Sequence, residues 1–266
     1  MTVGIAPGSR RLEGRKGIAL ELRDLTVDFV RRGSVFPAVR GVTLRVVPGQ
    51  FVSLIGPSGC GKSTILKVIL GVIPMTSGEV WLDGRRVYGP QPDIGIVFQS
   101  PTLLAWRSVV DNVLLPVEIR GLPIVPYRDR ARQLLEMVGL GEFERHWPRE
   151  LSGGMQQRVA ICRALIHDPP LILFDEPFSA LDDLTRDQLN HEILRIWERT
   201  GKTVVLVTHN IGEAVYMSDQ VFVMTSRPGR LAGSVVIELP RPRYYEMRHT
   251  PEFVAHVREL RAYLRT

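Results

Sequence analysis

Phe51-Val-Ser-Leu-Ile-Gly-Pro-Ser-Gly-Cys-Gly-Lys-Ser-Thr-Ile-Leu66 is the stretch on which the fold of this 266-residue chain turns. Its first five residues have the length and apolar content of a buried strand. From Lys62 the spacing turns helical, and the helix is expected to run to Ile73 and stop at Pro74. Between strand and helix lies Gly56-Pro-Ser-Gly-Cys-Gly61. Glycines at these positions let the backbone curl so that successive N–H groups point inward. The helix start adds its partial positive charge, so the loop is shaped to cradle phosphate. Lys62 is placed to reach the β- and γ-phosphates of a nucleotide, and the Ser63 hydroxyl to ligate Mg²⁺. Gly56, Pro57, Ser58, Gly59, Cys60, Gly61, Lys62, Ser63 and Thr64 are the candidate nucleotide-binding residues.

The flanking sequence supplies the sheet. Apolar residues alternate at Ile18, Leu20, Leu22, Leu25, Val27 and Phe29, which reads as edge strands, and a second alternating segment, Val42 to Val47, ends at Pro48-Gly49. Glu79 to Leu82 is a further strand before the turn at Asp83-Gly84. Residues 99–167 change character, with helical patterns such as Tyr127 to Val138 and little strand signal. Leu171 to Phe174 and Thr203 to Val207 then return as continuous apolar runs of the parallel-sheet kind. The expected organisation is an α/β core (18–98 and 168–266) with a helical insertion (99–167). At the end of the chain, Phe253, Val257, Leu260 and Leu264 share one helix face and read as core packing.

Bulk properties exclude more than they choose. Hydrophobic residues make up 44% and charged residues 23%, an ordinary globular balance that argues against a disordered chain. The net charge of +6 favours anionic partners without naming one. Cys60 and Cys162 have no metal-type spacing, so neither a zinc site nor a disulfide framework is expected, in agreement with a reducing compartment. Residues 1–17 are rich in Gly and Arg without a central apolar run. They read as a mobile tail rather than a secretory signal, with a basic membrane-touching arm as the alternative. No stretch approaches the roughly 18 apolar residues of a spanning helix, so any link to a membrane is expected to run through a partner.

Leu171-Ile-Leu-Phe-Asp-Glu176 is an apolar strand ending in two acids. A buried strand would deliver Asp175 to the sheet edge beside the phosphate loop, where it could hold Mg²⁺ through water. Consecutive strand residues face opposite ways, so Glu176 is not a second copy of Asp175. Its expected role is that of a general base orienting the attacking water.

Leu151-Ser-Gly-Gly-Met-Gln-Gln-Arg158 lies ahead of a helical stretch and 23 residues before Asp175, counted from Ser152. With this segment the chain resembles the ABC ATPases, whose signature is an LSGGQ-like loop upstream of the second acidic strand. The resemblance covers Ile18 to the C-terminus. It implies a P-loop (RecA-like) α/β core with an antiparallel β subdomain and a helical insertion. It also implies a homodimer in which Ser152, Gly153 and Gly154 act on ATP held by the partner, and Asp182 of Ser179-Ala-Leu-Asp182 lines the seam. Gln99 matches the glutamine loop that senses Mg²⁺, and His209 the switch histidine at the γ-phosphate. Phe29 aligns with the aromatic that stacks on adenine, with Phe36 as its rival. Asn210 stands where the family usually has Asp; Asn210-Ile-Gly-Glu213 still reads as a helix N-cap with a capping-box partner.

Two segments resemble the nitrate/sulfonate/taurine group of importers: Phe98 to Arg107, with Trp106, and Arg227-Pro-Gly-Arg230 followed by Leu239-Pro-Arg-Pro-Arg243. The resemblance then implies uptake of a small solute through integral-membrane permease subunits, with a periplasmic or lipoprotein solute-binding protein in the full system. ATP and Mg²⁺ are the implied cofactors. The implied location is peripheral, at the cytoplasmic face of the inner membrane. The second reading is a non-transport ABC ATPase acting on nucleic acid or the ribosome. The chain lacks the long coiled coils, zinc motifs or paired ATPase units of those branches, and no nucleic-acid partner is expected.

Overall fold

The computed structural model of the chain describes residues 17–179 and 181–265. The tail assigned to residues 1–17 therefore lies outside the described residues except for Gly17. The alternating segment near the N-terminus forms β1 (Leu20–Arg31), which turns at Arg32-Gly33 and returns as β2 (Ser34–Val46). Then come β3 (Phe51–Ile55), α1 (Lys62–Ile69), β4 (Ser77–Leu82), the two-residue β5 (Arg85–Arg86) and β6 (Ile94–Val97). Strands β1, β2, β4 and β5 form one antiparallel sheet in the order β2-β1-β4-β5. β1 is thus an interior strand, not an edge. Alternation reports only that one face is buried, and interior and edge strands of a half-solvated antiparallel sheet share it.

The middle of the chain supplies α2 (Val109–Ile119), α3 (Val125–Met137) and α4 (Gly153–Leu165). Beyond it lie β7 (Leu171–Asp175), α5 (Asp183–Thr200), β8 (Thr203–Val207), α6 (Ile211–Met217), β9 (Gln220–Met224), β10 (Leu231–Val236) and α7 (Pro251–Arg265). The second sheet runs β10-β9-β3-β8-β7-β6, parallel except for β10. Its alternate side chains feed two cores. Val52, Leu54, Leu173, Val205 and Val207 join the antiparallel sheet and α1 on one face. Phe51, Ile55, Phe174, Val204 and Leu206 meet α4, α5, α6 and α7 on the other. Phe253 and Leu260 of α7 are buried there, as the helical spacing predicts. A third core, within α2, α3 and α4, takes Val159, Cys162 and Ile166.

Helix α1 is shorter than its spacing suggests. It ends at Ile69 rather than before Pro74, because Gly71 takes φ +69° and donates its N–H to the Val68 carbonyl. A Cβ at Gly71 would sit 1.9 Å from the Gly89 carbonyl oxygen. Gly71→Ala is therefore expected to lower stability by at least about 2 kcal/mol, from left-handed strain plus overlap. A urea midpoint that falls at constant m is the readout.

Candidate functional site

The strands that carry candidate residues end at one edge. Leu54 pairs with Val207, Val207 with Asp175, and Phe174 with Val97. The chain therefore leaves the sheet side by side into Gly56, Glu176, Thr208-His209 and Phe98-Gln99. Parallel strands place their carboxyl ends together, and crevices for ligands form there.

In the glycine loop, Gly61 has φ +102°, and a Cβ there would lie 2.7 Å from Val39. The Lys62 side chain is 5% exposed, and its ammonium donates to the carbonyls of Gly56 (2.9 Å) and Pro57 (3.0 Å), folded back over the loop. The Ser63 hydroxyl donates to Asp175 Oδ1 at 2.7 Å, which joins an oxygen pair across the loop and β7. Burial pushes the Asp175 carboxyl above the usual carboxylate range and the Glu176 charge adds to this, while the Ser63 hydrogen bond opposes it. A half-buried carboxylate beside a hydroxyl suits a hard cation, which would offset that burial.

Glu176 leaves β7 with φ +46°, in the left-handed region that non-glycine residues rarely adopt. Its N–H donates to the Val207 carbonyl at 2.9 Å, and Oε2 lies 3.0 Å from His209 Nδ1. The two adjacent acids thus part company, Asp175 to Ser63 and Glu176 to His209. Gln99 is exposed at the same edge. The loop that follows it is held by α4, where Gln157 Nε2 donates to the Phe98 carbonyl (3.0 Å) and Arg163 to the carbonyls of Pro101 (2.7 Å) and Thr102 (2.9 Å).

Ser152 caps α4, its Oγ accepting the Met155 N–H at 3.3 Å; it and Gly153 are exposed. Gly154 faces Leu181 and Thr185, so the signature segment abuts the Asp182 loop of its own chain. Asp182 caps α5 through the Thr185 N–H (3.0 Å), which holds its carboxyl below the usual range. Phe29 and Phe36 stand opposite each other in the register of the β1–β2 hairpin, both exposed. Leu104 is half-buried, its backbone held by the fully buried Asn112, while Trp106 on the same loop is 72% exposed.

The cap after His209 departs from the capping-box reading. Asn210 Oδ1 does accept the Glu213 N–H (3.1 Å), but the Asn210 N–H goes to Thr208 Oγ1 (3.1 Å). The Glu213 side chain instead turns into the core toward Asn190. The Leu239-Pro-Arg-Pro-Arg243 segment has a structural task that its sequence did not disclose. Arg243 Nη1 donates to the carbonyls of Val215, Tyr216 and Ser218 (2.8–2.9 Å), and Arg241 to Met217 and Asp219. Both arginines cap the carboxyl end of α6, the helix that starts beside His209.

The ABC transporter family matches residues 39–179. A taurine import ATP-binding protein of Rhizobium johnstonii is 43% identical over 240 residues, 88% of this chain and 91% of that one. A nitrate import ATP-binding protein of Synechocystis sp. is 40% identical over 253 residues, 92% and 95% of the two chains. Among solved structures, the dimeric post-hydrolysis state of the ATP-binding cassette MJ0796, bound to ADP and Pi, superposes with a TM-score of 0.74. It is 34% identical, and the match spans 83% of this chain and 100% of that one. Fold and edge geometry define a nucleotide-driven P-loop ATPase. The chain belongs to the ABC transporter family, as an ATP-binding, ATP-hydrolysing subunit.

Arg243→Met removes the bonds to three carbonyls at the end of α6. It is expected to cost on the order of 3 kcal/mol, read as a lowered denaturation midpoint.

Proposed function

We propose that this chain hydrolyses ATP to energise import of a small solute of the taurine, sulfonate or nitrate kind, as a homodimer bound to integral-membrane permease subunits. The observation that carries the chemistry is the convergence of Lys62, Ser63, Asp175, Glu176 and His209 at one sheet edge. The import-type relatives support the direction of transport.

Gly56 to Thr64 would bind the nucleotide phosphates with backbone N–H groups, Lys62 turning from the loop carbonyls to the β- and γ-phosphates. Phe29, with Phe36 opposite, offers the adenine a stacking surface. Ser63, Asp175 and Gln99 would hold Mg²⁺, which when bound neutralises phosphate charge. Glu176 orients and deprotonates the attacking water, and His209 steadies Glu176 and meets the γ-phosphate. Ser152, Gly153 and Gly154 form a second phosphate-binding helix start, and their contact with the Leu181–Asp182 loop supports a shared seam. In a head-to-tail dimer that start would close on the partner's ATP.

Residues 99–167 would transmit closure to the permease. The loop of Trp106, pinned from within by Asn112 yet exposed at its tip, supplies an apolar docking point. No helix among the described residues is long and apolar enough to cross a membrane. We place the chain peripherally, at the cytoplasmic face of the membrane, with a periplasmic or lipoprotein solute-binding protein choosing the cargo.

Glu176→Gln is expected to keep ATP binding, lower turnover by at least about 10²-fold and accumulate an ATP-bound dimer on size exclusion. Undiminished steady-state hydrolysis would refute the base assignment. Lys62→Ala should weaken ATP binding itself, measured by titration with a fluorescent ATP analogue. Trp106→Ala should leave ATPase activity of the isolated chain intact and reduce co-purification with the permease.

A further inference from the structure

Glu213 is 4% exposed, a carboxylic side chain sunk beneath the edge that carries His209. Three elements meet at it. Asn190 of α5, fully buried, donates from Nδ2 to Oε1 at 3.4 Å. The Thr208 hydroxyl hydrogen-bonds the carboxyl, and the same hydroxyl oxygen accepts the Asn210 N–H at 3.1 Å. The Glu213 N–H closes the circuit on Asn210 Oδ1 at 3.1 Å. Thr208 and Asn210 are the two neighbours of His209. The Thr208 N–H also donates to the Leu54 carbonyl of β3 at 3.3 Å. The backbone on both sides of His209 is thus held from below, while the imidazole itself is mostly exposed.

We propose that Glu213 is a positioning residue for the hydrolytic step. Its carboxyl anchors Thr208, and through Thr208 and Asn210 it fixes the stance of His209 toward Glu176. This rests on the reading of His209 and Glu176 as the reactive pair.

A buried carboxyl is costly unless its hydrogen bonds are made. Burial pushes this one above the usual carboxylate range, and the bonds from Thr208 and Asn190 pull it back. An apolar residue would fill the space under α6 without that cost, so packing alone does not account for an acid here. What the acid provides is direction, because its oxygens accept from Thr208 and Asn190 at once. Asn190 Oδ1, on the same amide, is buried without a partner. A glutamine at 213 could accept from Thr208 through its one oxygen and donate its NH₂ to Asn190 Oδ1 once the Asn190 amide turns over.

The test uses the purified full-length protein, with ATPase kcat and KM, affinity for a fluorescent ATP analogue and thermal midpoint measured together. Glu213→Ala is expected to lower kcat about tenfold or more with KM and nucleotide affinity within about twofold, since small displacements of reacting groups slow chemistry more than binding. Glu213→Gln should restore kcat to within about threefold of the parent. Thr208→Val, which replaces the hydroxyl by a methyl group and so also releases the Asn210 N–H, should reproduce the loss and stands in should Glu213→Ala not fold. Full kcat in a folded Glu213→Ala or Thr208→Val protein would overturn the proposal. So would a Glu213→Gln protein as slow as the alanine variant, since charge rather than hydrogen bonding would then be required. His209→Ala is the reference. If it too hydrolyses at the parental rate, the reading of His209 fails and the inference with it. If it is slow while the 213 and 208 variants are normal, the inference alone fails.

Discussion

A parallel sheet buried on both faces has nowhere along its strands to put chemistry. Every residue of β3 and β8 is buried. The polar exceptions are fully occupied: Ser53 bonds Ser218 at 2.6 Å, and Thr203 Oγ1 donates to the Ile18 carbonyl at 2.6 Å. Functional groups are therefore confined to the strand ends, and parallel pairing puts those ends on a common edge. The register of Leu54, Val207 and Asp175 then does the rest. A one-residue slip of β7 would turn Asp175 into the core and bring Phe174 to the loop. The two apolar cores that flank the sheet hold that register, which is how packing far from the site fixes the distance between Ser63 and Asp175.

Helix α4 extends the constraint outward. Ala160, Ile161, Ala164 and Leu165 belong to the core under the sheet, while Val159, Cys162 and Ile166 belong to the helical block. One helix thus packs on both bodies, and its polar residues hold the strand-end loop, Gln157 at Phe98 and Arg163 at Pro101 and Thr102. Its N-terminus presents Ser152 and Gly153. Any tilt of α4 must move the Gln99 loop and the signature start together, because rigid helix and charge-assisted hydrogen bonds join them.

Much of this was legible in the residues themselves. The glycine loop, the acidic strand end and the signature segment carry their chemistry in local spacing, and strand–loop–helix context is a local property. What local spacing does not carry is long-range. Nothing in Leu20 to Phe29 says whether one neighbour or two will pair with it. Pro74 is the louder stop signal for α1, but the chain turns earlier, at Gly71, whose left-handed backbone lies against Gly89 with no room for a Cβ. Asn210-Ile-Gly-Glu213 reads as a capping box because that pattern is short-range; the bond of the Glu213 side chain is instead to Asn190, 23 positions away. The arginines of Leu239 to Arg243 marked a subgroup by sequence. Their targets, the carbonyls ending α6, became visible only once the chain had folded back past β9.

The two carboxylates at the end of β7 show why such long-range support is needed. Burial raises the proton affinity of Asp175, and the charge of the adjacent Glu176 adds to it, because neighbouring acids at a buried edge repel each other. The chain separates them by ending the strand between them: Glu176 enters the left-handed region and its carboxylate meets His209, while that of Asp175 meets Ser63. That conformation is strained for glutamate and persists only if its surroundings over-determine it. The Glu176 N–H on the Val207 carbonyl is one tie, and His209 on its carboxylate is the other. The first belongs to the sheet register. The second depends on where the segment from Thr208 to Asn210 is held, and that segment rests on Glu213 below and on α6, whose far end is capped by Arg241 and Arg243. A strained acid at the reactive edge is thus supported by a helix fixed at both ends, one end by a buried carboxyl and the other by two arginines.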